Sequence, residues 1–410
     1  MFIMITQISG GVCAVGGVKA YGIKPGKMGL AIILGEGTAA GVFTRNKIIA
    51  APAMLTRSHL EKNGGRLCGI IANSGNANAN AFTGEQGMAD ARAMAALLAE
   101  KLGVDPELIG VASTGVIGRK LDVDWIAAHT NEVFEKVTDS EEGNLGAMKA
   151  IMTTDTKQKE CAVEVTVPEG KFRIGGICKG AGMIEPNMGT MLSFVYTDAG
   201  ISSAAIRQSL VSAADKSFNM VVVDGDTSTN DMCLLTATGK SGIDVESSPA
   251  LKAAFTEGLE TVMTTLAKKI AADGEGASKL IQVTVTGAAT HKDAVLAAKS
   301  ITRSPLFKSA VFGKDPNWGR AVAAAGYSGA EFDQTKISLA FSDGTQSVHL
   351  VKSGEIIDKS SGNNLDLLKK IMSADTVYVE MDLGAGTESA VAWGCDLTYD
   401  YVRINADYTT

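Results

Sequence analysis

Two stretches of the chain place apolar residues at helical spacing. The first begins with a capping box after Thr83 and stops at Gly103. The second covers residues 251–270 and runs out just before Gly274. We therefore predict two helices here, the second of which places Glu275 directly after its carboxyl end.

Strands are predicted where apolar and polar residues alternate. Such alternation occurs in three segments, residues 161–167, 281–285 and 377–381. The apolar run 190–196 is a further strand candidate, and the turn-forming residues 186–189 precede it. Helix and strand patterns are thus mixed along the chain, which predicts an α/β fold in which Thr190 lies where a turn leads into a strand.

Size and charge limit the classes of protein that fit. With 410 residues, of which 45% are hydrophobic, the chain can bury the core of two compact units or of one large α/β body. Its net charge of −7 would repel a phosphate backbone, which argues against a nucleic-acid partner. The chain shows no signal-peptide pattern and no apolar run of roughly 18 residues. We expect a cytosolic enzyme with no partner in the membrane.

Cysteine and histidine usage gives no metal-site pattern. The six cysteines lie far apart without a C-x-x-C pair, so we interpret them as reduced and mostly buried thiols. None of the four histidines has H-E-x-x-H spacing. We therefore predict no metal site, and we expect that the catalytic base of this enzyme need not be a histidine.

Three generic motifs fail on spacing. Gly239-Lys240-Ser241 resembles the end of a phosphate-binding loop, but Leu234 stands where that loop needs its first glycine. Residues 224–230 resemble the start of a calcium loop that lacks its glycine and its final glutamate. The glycines in residues 35–41 have the wrong spacing for dinucleotide binding.

The bond between Gly189 and Thr190 allows two interpretations. In one, this is a glycine-rich hairpin whose threonine serves strand formation. In the other, the Thr190 hydroxyl attacks the Gly189 carbonyl, and the resulting ester is hydrolysed, which splits the chain. The free α-amine of Thr190, with a reference pKa of about 7.7 to 8.0, would then act as the base for its own hydroxyl.

A set of motifs in one order carries a family resemblance. The run 179–192, Lys-Gly-Ala-Gly-Met-Ile-Glu-Pro-Asn-Met-Gly-Thr-Met-Leu, resembles the signature of the ornithine acetyltransferases, also called bifunctional glutamate N-acetyltransferases. Further motifs of that family occur in the same order at residues 40–44, 72–78, 113–118, 151–155, 273–277, 314–320 and 401–410. The resemblance covers essentially the whole chain.

The resemblance implies a set of site residues. Thr190 is then the nucleophile, Gly189-Thr190 the cleaved bond, and Thr114 and Gly115 the oxyanion hole that holds the tetrahedral oxygen. The implied substrate-binding residues are Thr154, Lys179, Thr190, Glu275, Asn405 and Thr410. A lysine suits a substrate carboxylate, and a glutamate suits the ammonium of ornithine.

The resemblance also implies an activity and an assembly. The fold would be a layered arrangement of sheets and helices, cut into chains 1–189 and 190–410 that pair as a heterotetramer. Acetyl would pass from N-acetylornithine to glutamate in a ping-pong reaction of arginine biosynthesis, with no cofactor and with acetyl-CoA left open as a second donor. Gly189 stands where most of the family has alanine. Glycine and alanine are both small, so the chain should still cleave itself, and we expect the glycine to affect the rate of cleavage.

Two alternatives remain at this point. A self-processing amide hydrolase or aminopeptidase of related fold would resolve the acyl-threonine with water instead of glutamate. An inactive metabolite-binding homologue would not react at all, although the joint presence of Thr190, Thr114, Gly115 and Lys179 argues against it.

Overall fold

The computed structural model describes residues 3–79, 84–185, 191–357 and 363–407. The strands in these ranges are β1 (Met4–Ile8), β2 (Lys19–Ile23), β3 (Gly29–Phe43), β4 (Arg66–Asn76), β5 (Ile109–Val116), β6 (Glu160–Val167), β7 (Gly170–Lys179), β8 (Leu192–Thr197), β9 (Val221–Val222), β10 (Met232–Ala237), β11 (Leu280–Ala288), β12 (Ser338–Ser342), β13 (Ser347–Lys352), β14 (Glu355–Ile356), β15 (Thr376–Asp382) and β16 (Glu388–Cys395). The helices are α1 (Ala51–Lys62), α2 (Gly84–Leu102), α3 (Val123–Glu135), α4 (Glu141–Ile151), α5 (Ser203–Lys216), α6 (Pro249–Ala272), α7 (His291–Arg303), α8 (Pro305–Phe312), α9 (Trp318–Gly326), α10 (Asn363–Met372) and α11 (Tyr399–Asp407).

The strands form two mixed sheets. The first has the order β1-β6-β7-β8-β10-β3-β4-β5, with β2 paired to β3 on the side, and the second has the order β14-β13-β12-β15-β11-β16-β9. In the first sheet β8 pairs antiparallel with β7 and parallel with β10. The end of β7 therefore lies beside the start of β8, which brings Lys179 opposite Leu192.

Helix α6 packs against both sheets. It contacts β6 and β7 of the first sheet and β9, β11 and β16 of the second. Its apolar stripe is fully buried, with Leu259, Val262 and Met263 at 0% exposure. Since burying one such side chain contributes roughly 1.5–3 kcal/mol, this stripe holds the two sheets together.

Helices cover both faces of the first sheet. Helix α4 packs on β2 and β3, whereas α1, α2 and α3 pack around β3 and β5. On β3, Ile32 faces the core that includes α2, and Ile33 faces the core that includes α4. The sheet is thus buried on both faces, which gives a layered α/β arrangement and confirms the predicted fold class.

The predicted elements are found close to their expected bounds. Helix α2 ends at Leu102 and Gly103 follows with a φ of +66°, while the proposed cap at Thr83 lies outside the described residues. Helix α6 ends at Ala272 with Asp273 as its carboxyl cap. The three alternating segments are β6, β11 and β15, and the fourth candidate is β8 from Leu192 onward.

Over the described ranges, we find no helix that combines the length and the apolar character needed to span a bilayer. The six cysteines are free thiols, and four of them are buried. Within the same ranges no three His, Cys, Asp or Glu side chains come together in a way that could hold a metal ion.

Candidate active site

A polar cleft of about 440 Å³ opens where β5 and β7 end and β8 begins. Both apolar and hydrogen-bonding side chains form its wall. The residues that line it are Thr114, Gly115, Val116, Ile117, Thr153, Thr154, Lys179, Gly182, Met183, Met191, Leu192, Ser228, Asn230, Asp231, Glu275 and Asn405. Six of the sequence-predicted site residues, from five separate parts of the chain, therefore meet in one cavity.

The end of β5 has a backbone conformation that favours glycine. Gly115 has a φ of +130°, and a Cβ atom placed on it would lie 2.4 Å from the carbonyl carbon of Gly75 in the neighbouring β4. The parallel pairing of β4 and β5 is irregular at this point. Any side chain at Gly115 would therefore displace the strand end that presents Thr114 to the cleft.

Lys179 is a buried cation in the cleft wall. It is the last residue of β7, only 8% of its surface is exposed, and its Nζ donates to Oγ1 of Thr114 over 3.3 Å. Burial lowers the pKa of Lys179, although the carboxylates of Asp155 and Glu275 oppose this effect. The ammonium group therefore lies where an incoming anion would be held strongly.

A buried ion cluster lies behind Lys179. Lys159 pairs with Asp155 over 2.7 Å and with Asp273, and all three side chains are at most 2% exposed. Burial would raise the pKa of Asp155, but Lys179, Lys159 and the Gly180 amide hold it at about 2. Burial would likewise lower the pKa of Lys159, but its two carboxylate partners raise it. These three residues tie the loop after α4, the start of β6 and the end of α6 together beneath the cleft.

Glu275 and Asn405 form another part of the wall. The Asn405 side-chain amide donates to Oε2 of Glu275 over 2.8 Å. The backbone amide of Glu275 donates to Ala181 over 2.8 Å, and a Cβ on Gly182 would lie 2.3 Å from the Glu275 carboxyl carbon. Glycine at position 182 thus leaves the room that the carboxylate occupies. The negative charge of Glu275 and the positive charge of Lys179 therefore lie in the same cleft.

Thr154 enters the cleft from the loop after α4. Its neighbour Thr153 donates its backbone amide to Oδ2 of Asp155 over 2.9 Å, which links this loop to the buried ion cluster. Thr153 and Thr154 both line the cleft, so the buried ion cluster supports the part of the wall that carries their hydroxyl groups.

Three lining residues lie outside the family motifs, and the sequence does not point to them. Ser228, Asn230 and Asp231 come from the loop before β10, and Asn230 donates to Ser113 over 3.0 Å, beside Thr114. The only sequence signal is the polar run 224–230 directly before an apolar strand, and its resemblance to a calcium loop does not indicate a place in the cleft. That loop is a wall of the cleft.

Three predicted residues, Gly189, Thr190 and Thr410, lie outside the described residues. The next residue after Thr190, Met191, lines the cleft and its carbonyl accepts from the Met232 amide over 2.9 Å. No histidine is found among the described residues that line the cleft.

The fold and the family comparisons define an α/β enzyme, and its cleft offers a cation and an anion together with hydroxyl and amide groups. The model of the ArgJ family matches residues 15–410, and the chain belongs to this family. The assignment confirms the resemblance found in the motifs and the expectation of an acetyltransferase enzyme of arginine biosynthesis.

Relatives at high identity support the same assignment. The chain is 60% identical to a glutamate N-acetyltransferase of Methanosarcina mazei, over 98% of this chain and 100% of the relative. It is 47% identical to the arginine biosynthesis bifunctional protein ArgJ of Symbiobacterium thermophilum, over 98% and 99% respectively. A crystal structure of the ArgJ protein of Bacillus halodurans matches with a TM-score of 0.50 and 43% identity, over 53% of this chain and 100% of that chain.

Proposed function

We propose that this chain transfers an acetyl group from N-acetylornithine to glutamate through an acetyl ester on Thr190. One observation carries the proposal: Thr114, Gly115, Thr154, Lys179, Glu275 and Asn405 line a single cleft whose wall includes Met191, the neighbour of Thr190. The identity of 60% to a glutamate N-acetyltransferase supports the same reaction.

The nucleophile would be produced by self-cleavage. The Thr190 oxygen attacks the Gly189 carbonyl carbon, an ester bond forms, and the amide bond between the two residues breaks. Water then hydrolyses the ester, leaving a carboxylate on Gly189 and a free hydroxyl and α-amine on Thr190. The products are the chains 1–189 and 190–410, which we propose remain together as a heterotetramer in the cytosol.

Acetyl transfer would follow in two steps. The Thr190 hydroxyl attacks the acetyl carbonyl of N-acetylornithine while its α-amine accepts the proton, and that proton passes to the departing amine of ornithine. The α-amine of glutamate then attacks the ester, and N-acetylglutamate leaves as Thr190 regains its proton. An amide is exchanged for an amide, so the reaction needs no cofactor.

The charged and polar groups of the cleft have separate roles in this scheme. The Thr114 hydroxyl and the Gly115 amide stabilise the tetrahedral oxygen, a contribution of about 3 kcal/mol per donor. Lys179 binds the substrate carboxylate, and Glu275, oriented by Asn405, binds the side-chain ammonium of ornithine. Thr154 and Thr410 complete the substrate contacts.

An exchange assay tests the proposal. The purified protein is incubated with N-acetylornithine and labelled glutamate, and both N-acetylglutamate and acetate are quantified; a parallel arm replaces N-acetylornithine with acetyl-CoA. We expect N-acetylglutamate from the first donor, and loss of both cleavage and product in Thr190→Ala. Thr261→Ala, which removes an exposed hydroxyl on α6, is the matched control and should behave like the parent.

Two results would overturn the proposal. Release of acetate without N-acetylglutamate would identify an amide hydrolase. A Thr190→Ala variant with unchanged activity would remove the threonine from the mechanism.

A further inference from the structure

A second cavity lies apart from the cleft, between the loop before β10 and helix α7. It has a volume of about 470 Å³. Its wall combines a carboxylate, two cations and an apolar side formed by Val295, Leu296 and Pro305. None of the lining residues belongs to the proposed acetyl-transfer site.

The charges in this cavity do not balance. Glu185 is 4% exposed, and the Arg303 guanidinium donates from Nε and Nη2 to both of its carboxylate oxygens. The Lys299 Nζ also pairs with this carboxylate, at 3.3 Å from Oε1. Among the described residues that line the cavity, Glu185 is the only carboxylate. Two cations therefore share one anion, which leaves one positive charge.

Lys299 carries most of this imbalance. Its side chain is 19% exposed, and within the described part of the chain its ion pair with Glu185 is not accompanied by a hydrogen bond. Burial lowers the pKa of Lys299 to about 8. A desolvated ammonium with unused donors is strongly stabilised by an anion that reaches it.

We propose that this cavity binds a small monocarboxylate, with its carboxylate on Lys299 and Arg303 and its short apolar body against Val295, Leu296 and Pro305. A single negative charge matches the single excess positive charge, whereas a dianion would reverse the imbalance and a zwitterion would leave it. The proposed binding does not depend on the acetyl-transfer reaction.

The position of the cavity connects it to the cleft. Gly225 and Thr227 line the cavity, and Ser228 and Asn230, in the same loop, line the cleft. Thr227 also donates its hydroxyl to the Glu185 carbonyl over 3.0 Å. A ligand held on Lys299 and Arg303 would therefore lie against the loop that also forms part of the cleft wall.

Amine labelling tests the site without any assay of activity. The whole protein is reductively methylated near pH 7.5 with and without sodium butanoate, and the labelling rate of each lysine is read by peptide mass spectrometry. With butanoate at about ten times its dissociation constant, we expect Lys299 to be labelled about tenfold more slowly. Lys292, exposed on the same helix, is the internal control and should not change.

Two further samples distinguish binding at a specific site from general screening of charge by salt. Sodium chloride and sodium phosphate at equal ionic strength should protect Lys299 much less than butanoate. No protection by butanoate, or equal protection by all three salts, would overturn the proposal.

A binding measurement gives an independent check. Calorimetric titration with butanoate should give a signal for the parent and for Lys292→Gln, and none for Lys299→Gln with an unchanged circular dichroism spectrum. A Lys299→Gln variant that binds butanoate normally would also overturn the proposal. If that variant fails to fold, the labelling of the parent protein still decides.

Discussion

Individual residues in the cleft are held by packing behind them. Gly115 shows this most directly, since its backbone conformation and its distance from β4 both exclude a side chain. Lys179 is likewise supported from behind, since the buried Asp155 carboxylate accepts from the neighbouring Gly180 amide and attracts the lysine ammonium. The geometry of the cleft therefore depends on residues that do not line it.

Replacing Gly115 by alanine should abolish most of the activity. The added Cβ would lie 2.4 Å from the Gly75 carbonyl carbon, so β5 must shift and the proposed oxyanion donors move. We expect kcat in the exchange assay to fall by about 100-fold or more.

The matched control is Gly118→Ala. Gly118 also has a positive φ, +81°, but nothing lies within 4 Å of the added atom. This variant carries the backbone strain alone, of about 1–2 kcal/mol, and should keep most of the activity. Equal activity in both variants would show that the position of the β5 end is irrelevant to the reaction.

Asp155 should make the protein sensitive to acid. Its pKa of about 2 lies below the value of about 3.9 in an unfolded chain, so its charge stabilises the fold above pH 4 and this contribution disappears as the pH falls toward 2. The contribution is on the order of 2 kcal/mol. Urea midpoints between pH 6 and pH 3 should fall more steeply for the parent than for Asp155→Asn; parallel curves would contradict the assignment.

The elements that support the cleft are joined by ions as well as by apolar packing. Lys159 at the start of β6 connects Asp155 in the loop after α4 with Asp273 at the end of α6. Glu275 follows Asp273 by two residues, so the same cluster positions both Lys179 and Glu275. The carboxyl end of α6 thus supports the cleft through its cap residue, Asp273.

Removing the central cation should destabilise the protein strongly. In Lys159→Met two buried carboxylates lose their partner, and we expect a loss of about 3–5 kcal/mol in the free energy of unfolding. Lys171→Met removes the Lys171–Glu164 ion pair, in which the lysine side chain is 60% exposed, and should cost about 0–1 kcal/mol. Chemical denaturation of both variants provides the measurement, and similar losses would mean that the cluster is not structurally important.

Several helices and strands can be predicted from the local spacing of apolar residues, but the pairing of the strands cannot. The α6 stripe and the alternation in β6, β11 and β15 are readable because each is set by neighbours a few residues apart. That β8 runs parallel to β10, and that the loop before β10 reaches Ser113, depends on contacts between residues far apart in sequence. For this reason the sequence does not point to Asn230 and Asp231, whereas the family motifs contain Lys179 and Glu275.

At the level of the whole molecule, the described residues form two sheets joined by α6, with the polar cleft where β5 and β7 end and a separate charged cavity beside α7. The cleft is assembled from residues on both sides of the Gly189–Thr190 bond, with Thr114 and Lys179 before it and Glu275 and Asn405 after it. If cleavage occurs, neither product chain contains a complete site. Activity should then require both chains to stay together.

The most direct test of the central claim is the intact mass of the protein under denaturing conditions, before and after incubation with N-acetylornithine alone. We predict two fragments, residues 1–189 and 190–410, with one acetyl group added to the second fragment only and removed again by glutamate. A single uncut chain, or an acetyl group that never appears on the fragment beginning at Thr190, would contradict the account.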